Sequence, residues 1–130
     1  MASLEIEVDL KVLDAFMKRF NANADRALDA AAQVIVNDIV QSFGTSPPGI
    51  EYGSHVASQP GFPPNVDTGA LRGSMHWQRS GNLEREIMDG VEYGAKLELG
   101  IGVEARPFMS PAFRGFSKRV GQHFRGYLYE

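Results

Sequence analysis

Leu4, Ile6, Val8 and Leu10 alternate with Glu5, Glu7 and Asp9, the period-2 signature of a half-buried strand, and predict a short edge strand at the start of the chain. Beyond it the period changes. Leu13, Phe16, Met17 and Phe20 stand at helical spacing, and after the polar run 21–25 the residues Leu28, Ala32, Ile35, Ile39 and Phe43 continue it at i, i+4, i+7, i+11 and i+15. This predicts one long amphipathic helix over 23–43, with Asn23 as its N-cap and Gly44 closing it.

The pattern then stops. Residues 44–66 hold five of the seven prolines and four glycines, a content that excludes a helix or a central strand and predicts a long loop. Loops of that length inside a small domain are commonly functional arms or disordered segments, and an arm or tether is the preferred reading. Its apolar groups, Ile50, Tyr52, Val56 and Phe62, have too much Pro and Gly around them to build a local core. With Pro60, Gly61, Pro63 and Pro64 they form the candidate interface, loosely held in the free chain and ordered against a neighbour.

Alternation resumes at Met75 and Trp77 and again at Leu83 and Ile87, on either side of Ser80-Gly81-Asn82, which predicts a β-hairpin turning near Gly81-Asn82. Tyr93 and Leu97 return to helical spacing in a short helix that Gly100 can end. A single last helix then opens at Ser110-Pro111, with Ser110 as N-cap and Pro111 at the first helical position. Phe113, Phe116, Val120, Phe124 and Tyr127 form its apolar face, and Gly115, Gly121 and Gly126 make it dependent on packing. The expected class is α+β: a long N-terminal helix and a C-terminal helix packed on a small antiparallel sheet, in one domain over residues 1–130.

Composition narrows what such a domain does. With 43% apolar and 22% charged residues, and no apolar run near the roughly 18 residues of a membrane span, a soluble globular chain is expected. The opening residues lack the basic-then-apolar order of a secretory signal, so residence in a cytoplasm is the expectation. Without cysteine, disulfides and thiolate zinc sites are excluded. The net charge of −3 is unevenly spread: residues 1–51 carry 4 basic and 8 acidic side chains, 52–104 carry 4 and 7, and 105–130 carry 5 and 1. The basic end suits a solvated helix face or an acidic partner surface such as another copy of the chain. A chain with pI near 5.6 lacks the general basic field of a specific nucleic-acid binder.

Asp67-Thr68-Gly69 is the tripeptide that dimeric aspartic proteases place around their catalytic carboxylate, but those enzymes deliver it from an apolar strand. Here Pro60-Gly61-Phe62-Pro63-Pro64-Asn65 precedes it, and the chain is too helical for that fold. Asp67 or Thr68 instead reads as the cap of a helical turn beginning at Gly69-Ala70-Leu71. His55, His76 and His123 have no metal-ligand spacing with carboxylates, and Gly100-Ile101-Gly102 lacks the remainder of a dinucleotide loop. No catalytic residue, cofactor or metal is expected.

Two segments together resemble a known family. Residues 58–75, with Pro60, Gly61, Pro63, Pro64, Asp67, Thr68, Gly69, Leu71 and Ser74, are similar to the Pro-Gly-x-Pro-Pro…Asp-Thr-Gly-x-Leu-x-x-Ser segment of tail-completion, or neck, proteins of long-tailed bacteriophages and prophages. Residues 93–113, with Tyr93, Glu98, Gly100, Ala105, Arg106, Pro107, Phe108, Pro111 and Ala112, resemble the same family's Tyr-Ala-x-x-x-Glu-x-Gly…Ala-Arg-Pro-Phe-x-x-Pro-Ala segment. Gly94 stands where that pattern has alanine, and Ile101 where it often has threonine.

The resemblance implies a non-enzymatic virion protein of the head–tail interface, made in the host bacterial cytoplasm. It would form a homo-oligomeric ring between a head completion or connector protein and the tail terminator and tail tube, with DNA passing through unread. A tail terminator or another minor tail protein is the alternative within virions, and the dimeric aspartic protease the one from another class. Within the second segment, Glu98 and Arg106 are expected to pair, fixing the short helix against the chain that leads into the last one.

Overall fold

The computed structural model describes residues 10–45, 48–52, 55–65 and 69–128. The chain has an α+β fold. Its spine is α1, Leu10–Ser42, a helix of 33 residues that measures about 50 Å at 1.5 Å per residue. Leu10 is its first residue, and the strand expected over 4–10 otherwise lies outside the described residues.

The helix does not restart at Asn23. Asn and Asp cost only about 0.6 kcal/mol each relative to Ala in a helix interior, too little to break it where neither Gly nor Pro intervenes. Asn23 is therefore not an N-cap: it is buried in mid-helix, where its Oδ1 accepts a hydrogen bond from Arg26 Nη2 at 2.6 Å. At the far end the expectation holds, since Gly44 has φ 86°, the left-handed conformation that a helix C-terminus favours.

The core gathers on the C-terminal half of α1. Ala31, Ile35, Val36, Ile39 and Phe43 pack with Leu71, Met75, Phe108 and Phe116. Phe43 and Phe108 meet edge to face with ring centroids 5.5 Å apart. The other half of α1 has no such cover: every residue from 10 to 22 is exposed, including Leu13, Phe16, Met17 and Phe20. These four stand at i, i+3, i+4 and i+7, one apolar face left exposed among the described residues.

Among the described residues, four strands form two separate antiparallel pairs rather than one sheet. Strands β1 (Pro48–Tyr52) and β2 (His55–Ser58) make a hairpin inside the segment expected to be irregular. The Pro and Gly content excluded a central strand, and none is present; a two-stranded ribbon with Pro48 at its first position is compatible with it. After the short helix α2 (Ala70–Ser74), β3 (His76–Gly81) and β4 (Glu84–Met88) form the expected hairpin. Its turn is Asn82-Leu83, one residue later than expected, with Leu83 at φ 53°. This hairpin packs on α1.

Helix α3 (Tyr93–Leu99) ends at Gly100, φ 73°, as expected. The last helix is divided into α4 (Met109–Ser117) and α5 (Val120–Leu128) by a turn at Lys118-Arg119. The break lets Phe116 of α4 enter the core while His123 of α5 reaches the Ala27 carbonyl of α1 at 2.8 Å, and Arg119 meets Asp38 at 2.9 Å. Glycines on both sides, Gly115 and Gly121, lower the helical stability that would have resisted it.

Candidate functional site: an arm and its anchor

The β1–β2 hairpin stands off the core, its two strands touching each other and little else. Val56 on β2 is exposed; Ile50 and Tyr52 lie on β1, and their side chains fall outside the described residues. Gly49 has a packing reason: a Cβ there would lie 2.6 Å from the Ser58 carbonyl oxygen, so only glycine allows the two strands to approach so closely.

Below the hairpin the chain is fastened. Gly61, at φ 89°, donates its N–H to the Ala105 carbonyl at 2.7 Å. Arg106 Nε donates to the Ser58 carbonyl at 3.2 Å, and Asn65 Nδ2 to the Val56 carbonyl at 3.0 Å. Ser58 is 1% exposed, and its hydroxyl has no partner among the described residues. Pro64 is buried and its carbonyl accepts from Gly44 N, while Pro60, Gly61 and Phe62 are exposed and Pro63 half-buried. The candidate interface residues thus divide into an exposed set and an anchoring set.

The anchor's other half is built by Glu98, and here the expected pairing is overturned. Glu98 and Arg106 do not pair. The Glu98 carboxylate accepts the backbone N–H groups of Phe108 (2.6 Å), Met109 (3.0 Å) and Ser110 (2.9 Å) together with the Ser110 hydroxyl, and so caps α4 from α3. The cap position itself is held by Phe108, which has no side-chain oxygen, so Ser110 is not the N-cap. Four donors converging on one carboxylate outcompete a single exposed ion pair. Burial pushes the Glu98 pKa up, but the Ser110 hydroxyl and the three N–H groups outweigh it and leave the pKa below its ordinary value of 4.5. Arg106, released from that role, serves two carbonyls, Ser58 and Glu104.

Among the remaining motif residues that are described, several are packed into the fold. Phe108 is 1% exposed and Leu71 is buried, while Pro107 is half-buried and Tyr93 exposed. Gly100 lies against Ala105, whose Cβ would be 3.1 Å from an added side chain. Gly69, at φ 83°, occupies the cap position of α2; Asp67 and Thr68 lie outside the described residues. Gly94 is buried because the Asp89 carboxylate occupies the space a Cβ would need, 2.5 Å away. The glycine that departs from the resembled pattern thus accompanies a neighbouring aspartate, whose Oδ1 accepts from Val91 N.

One cluster escaped the sequence reading. Arg79 and Arg85 face each other across the β3–β4 pair, and like charges so placed repel. Asp25 and Asp29, one helical turn apart on α1, resolve this: Arg85 reaches Asp25 Oδ1 and Asp29 Oδ1, each at 2.6 Å, and Arg79 also pairs with Asp25. The Arg85 side chain is 3% exposed. Its hydrogen bond holds the Asp25 pKa below the usual carboxylate value, and the Asp25 bond in turn raises that of Arg85. The sequence signal was present as Asp25/Asp29 at i, i+4 opposite a cross-strand arginine pair. The cluster locks the hairpin to α1, away from the arm.

Among the described residues, no group of His and carboxylates stands close enough to hold a metal ion, and no helix is long and apolar enough to cross a membrane. Compared with protein-family models, curated proteins and solved structures, the chain matches none.

Proposed function

We propose that this chain is a virion assembly protein of the head–tail interface, a tail-completion or neck protein that works in a ring between head connector and tail terminator. One observation carries the reading. The two segments on which the resemblance rests, far apart in sequence, meet at the foot of the arm, through Gly61 N–H to the Ala105 carbonyl and Arg106 Nε to the Ser58 carbonyl. In support of the reading, residues of both segments belong to one device, a hydrogen-bonded foot below the β1–β2 hairpin.

The open face of α1, Leu13, Phe16, Met17 and Phe20, adds contact surface of the kind assembly proteins use. Apolar patches and a projecting ribbon suit head-to-tail contacts, which close into rings when the rotation allows. Its partners are then other copies of itself, the head completion or connector protein, and the tail terminator and tube. DNA passes through without base readout.

Deleting residues 46–58 removes the arm and leaves the core residues untouched. The shortened chain should fold, judged by Trp77 fluorescence, yet yield DNA-filled heads and finished tails that do not join. Normal joining with the shortened chain would refute the role of the arm.

A further inference from the structure

Among the described residues there are two unjoined strand pairs, each with open edges. An isolated two-stranded hairpin is marginal in water, and unpaired edges invite further strands. The edges are not equivalent. β2 is fastened to its own body, because Asn65 and Arg106 donate to the Val56 and Ser58 carbonyls. β1 has no backbone hydrogen bond outside its hairpin among the described residues, and the same holds for β3 and β4.

We infer that β1 of one copy adds to the open edge of β3 in a second copy, giving a composite sheet in the order β2-β1-β3-β4 across the subunit boundary. This inference rests on the assembly reading for its setting and adds the partner, the strand and the bonding mode. Lengths agree, with five residues in β1 and six in β3. Charge favours β3 over β4: β1 contains Glu51, β4 carries Glu84 and Glu86 against the single Arg85, and β3 carries Arg79, already paired with Asp25 of its own chain, and His76 but no carboxylate. Like charges facing each other across strands are unfavourable and opposite charges favourable. Reach is sufficient, since five extended residues carry the β1 edge about 15 Å along the arm. Because the donor edge and the acceptor edge are different surfaces, the contact is head-to-tail, the type from which rings are made.

The absence of cysteine makes the test clean. Chains carrying Glu51→Cys are mixed with chains carrying Gln78→Cys or Ser80→Cys on β3, or Glu84→Cys or Glu86→Cys on β4, under mild oxidation. The β3 and β4 positions are all exposed. A disulfide requires Cα atoms within about 7 Å, so at least one β3 mixture should give roughly tenfold more mixed disulfide dimer than either β4 mixture. Equal yields from β3 and β4, or no mixed dimer at any protein concentration up to millimolar, would overturn edge pairing. The two readings fail separately. Loss of the cross-link with arm-dependent joining intact rejects only the pairing, whereas strong cross-linking of a chain that is absent from the head–tail junction of complete particles rejects only the neck role.

Discussion

Replacing Glu98 with alanine removes the acceptor shared by Phe108 N, Met109 N, Ser110 N and the Ser110 hydroxyl. Loss of an ordinary N-cap costs about 0.5–2 kcal/mol, and hydrogen bonds to a charged acceptor contribute about 1.5–3 kcal/mol each before water replaces them. Ser110 is exposed and regains water, whereas Phe108 is buried and does not. The expected loss is therefore about 2–3 kcal/mol, or about 8–12 °C in Tm for a chain of this length. Glu98→Gln keeps one acceptor oxygen and should lose about half as much. Urea unfolding followed by the single tryptophan, Trp77, which packs against the core, reports it. The sign with pH is fixed. Because the folded pKa lies below 4.5, the charge contributes fully above the unfolded value and is lost as pH falls through the folded one. The gap between wild type and Glu98→Gln should hence be constant near neutrality and shrink below about pH 4.5. An alanine variant within 0.5 kcal/mol of wild type, or a gap that widens in acid, would refute the cap. A double-mutant cycle between Glu98 and Arg106 should give a coupling under about 0.5 kcal/mol, since the two serve different partners.

Gly94→Ala should cost about 1 kcal/mol, because Asp89 must turn away and give up its bond to Val91 N; the same glycine change made on an Asp89→Ala background should add little, as the cycle of melting temperatures will show. Arg85→Met should destabilise by about 2–3 kcal/mol, less than the 3–5 kcal/mol of a fully buried pair because Asp25 and Asp29 stay partly solvated, and Arg85→Lys should not restore it, lacking the fork that spans two aspartates. Asn23→Ala should lie within about 0.5 kcal/mol of wild type in denaturant titration, where loss of a true N-cap would cost more.

Much of the fold was legible where local chemistry decides it. The period of Leu28 to Phe43, the glycines at 44 and 100, and the β3–β4 alternation all act within a few residues of themselves. What was misread depends on contacts between distant segments. The cap of α4 comes from Glu98 on α3, which no inspection of Ser110-Pro111 reveals. The start of α1 was displaced because polar residues at 21–25 imitate a boundary without containing a true helix breaker. The division between α4 and α5 carries no proline and follows from Phe116 and His123 both reaching α1. The hairpin of the Pro/Gly-rich segment was not legible: Pro and Gly rule out a central strand while permitting a two-stranded ribbon.

The neck role is tested most directly by locating the chain in the particle. A copy carrying a bulky label at its C-terminus, assembled into complete particles and imaged, should place the label in a single ring at the junction of head and tail. Particles assembled without the chain should separate into filled heads and finished tails. Label distributed along the tube, at the distal tail tip, or absent from complete particles would contradict the assignment.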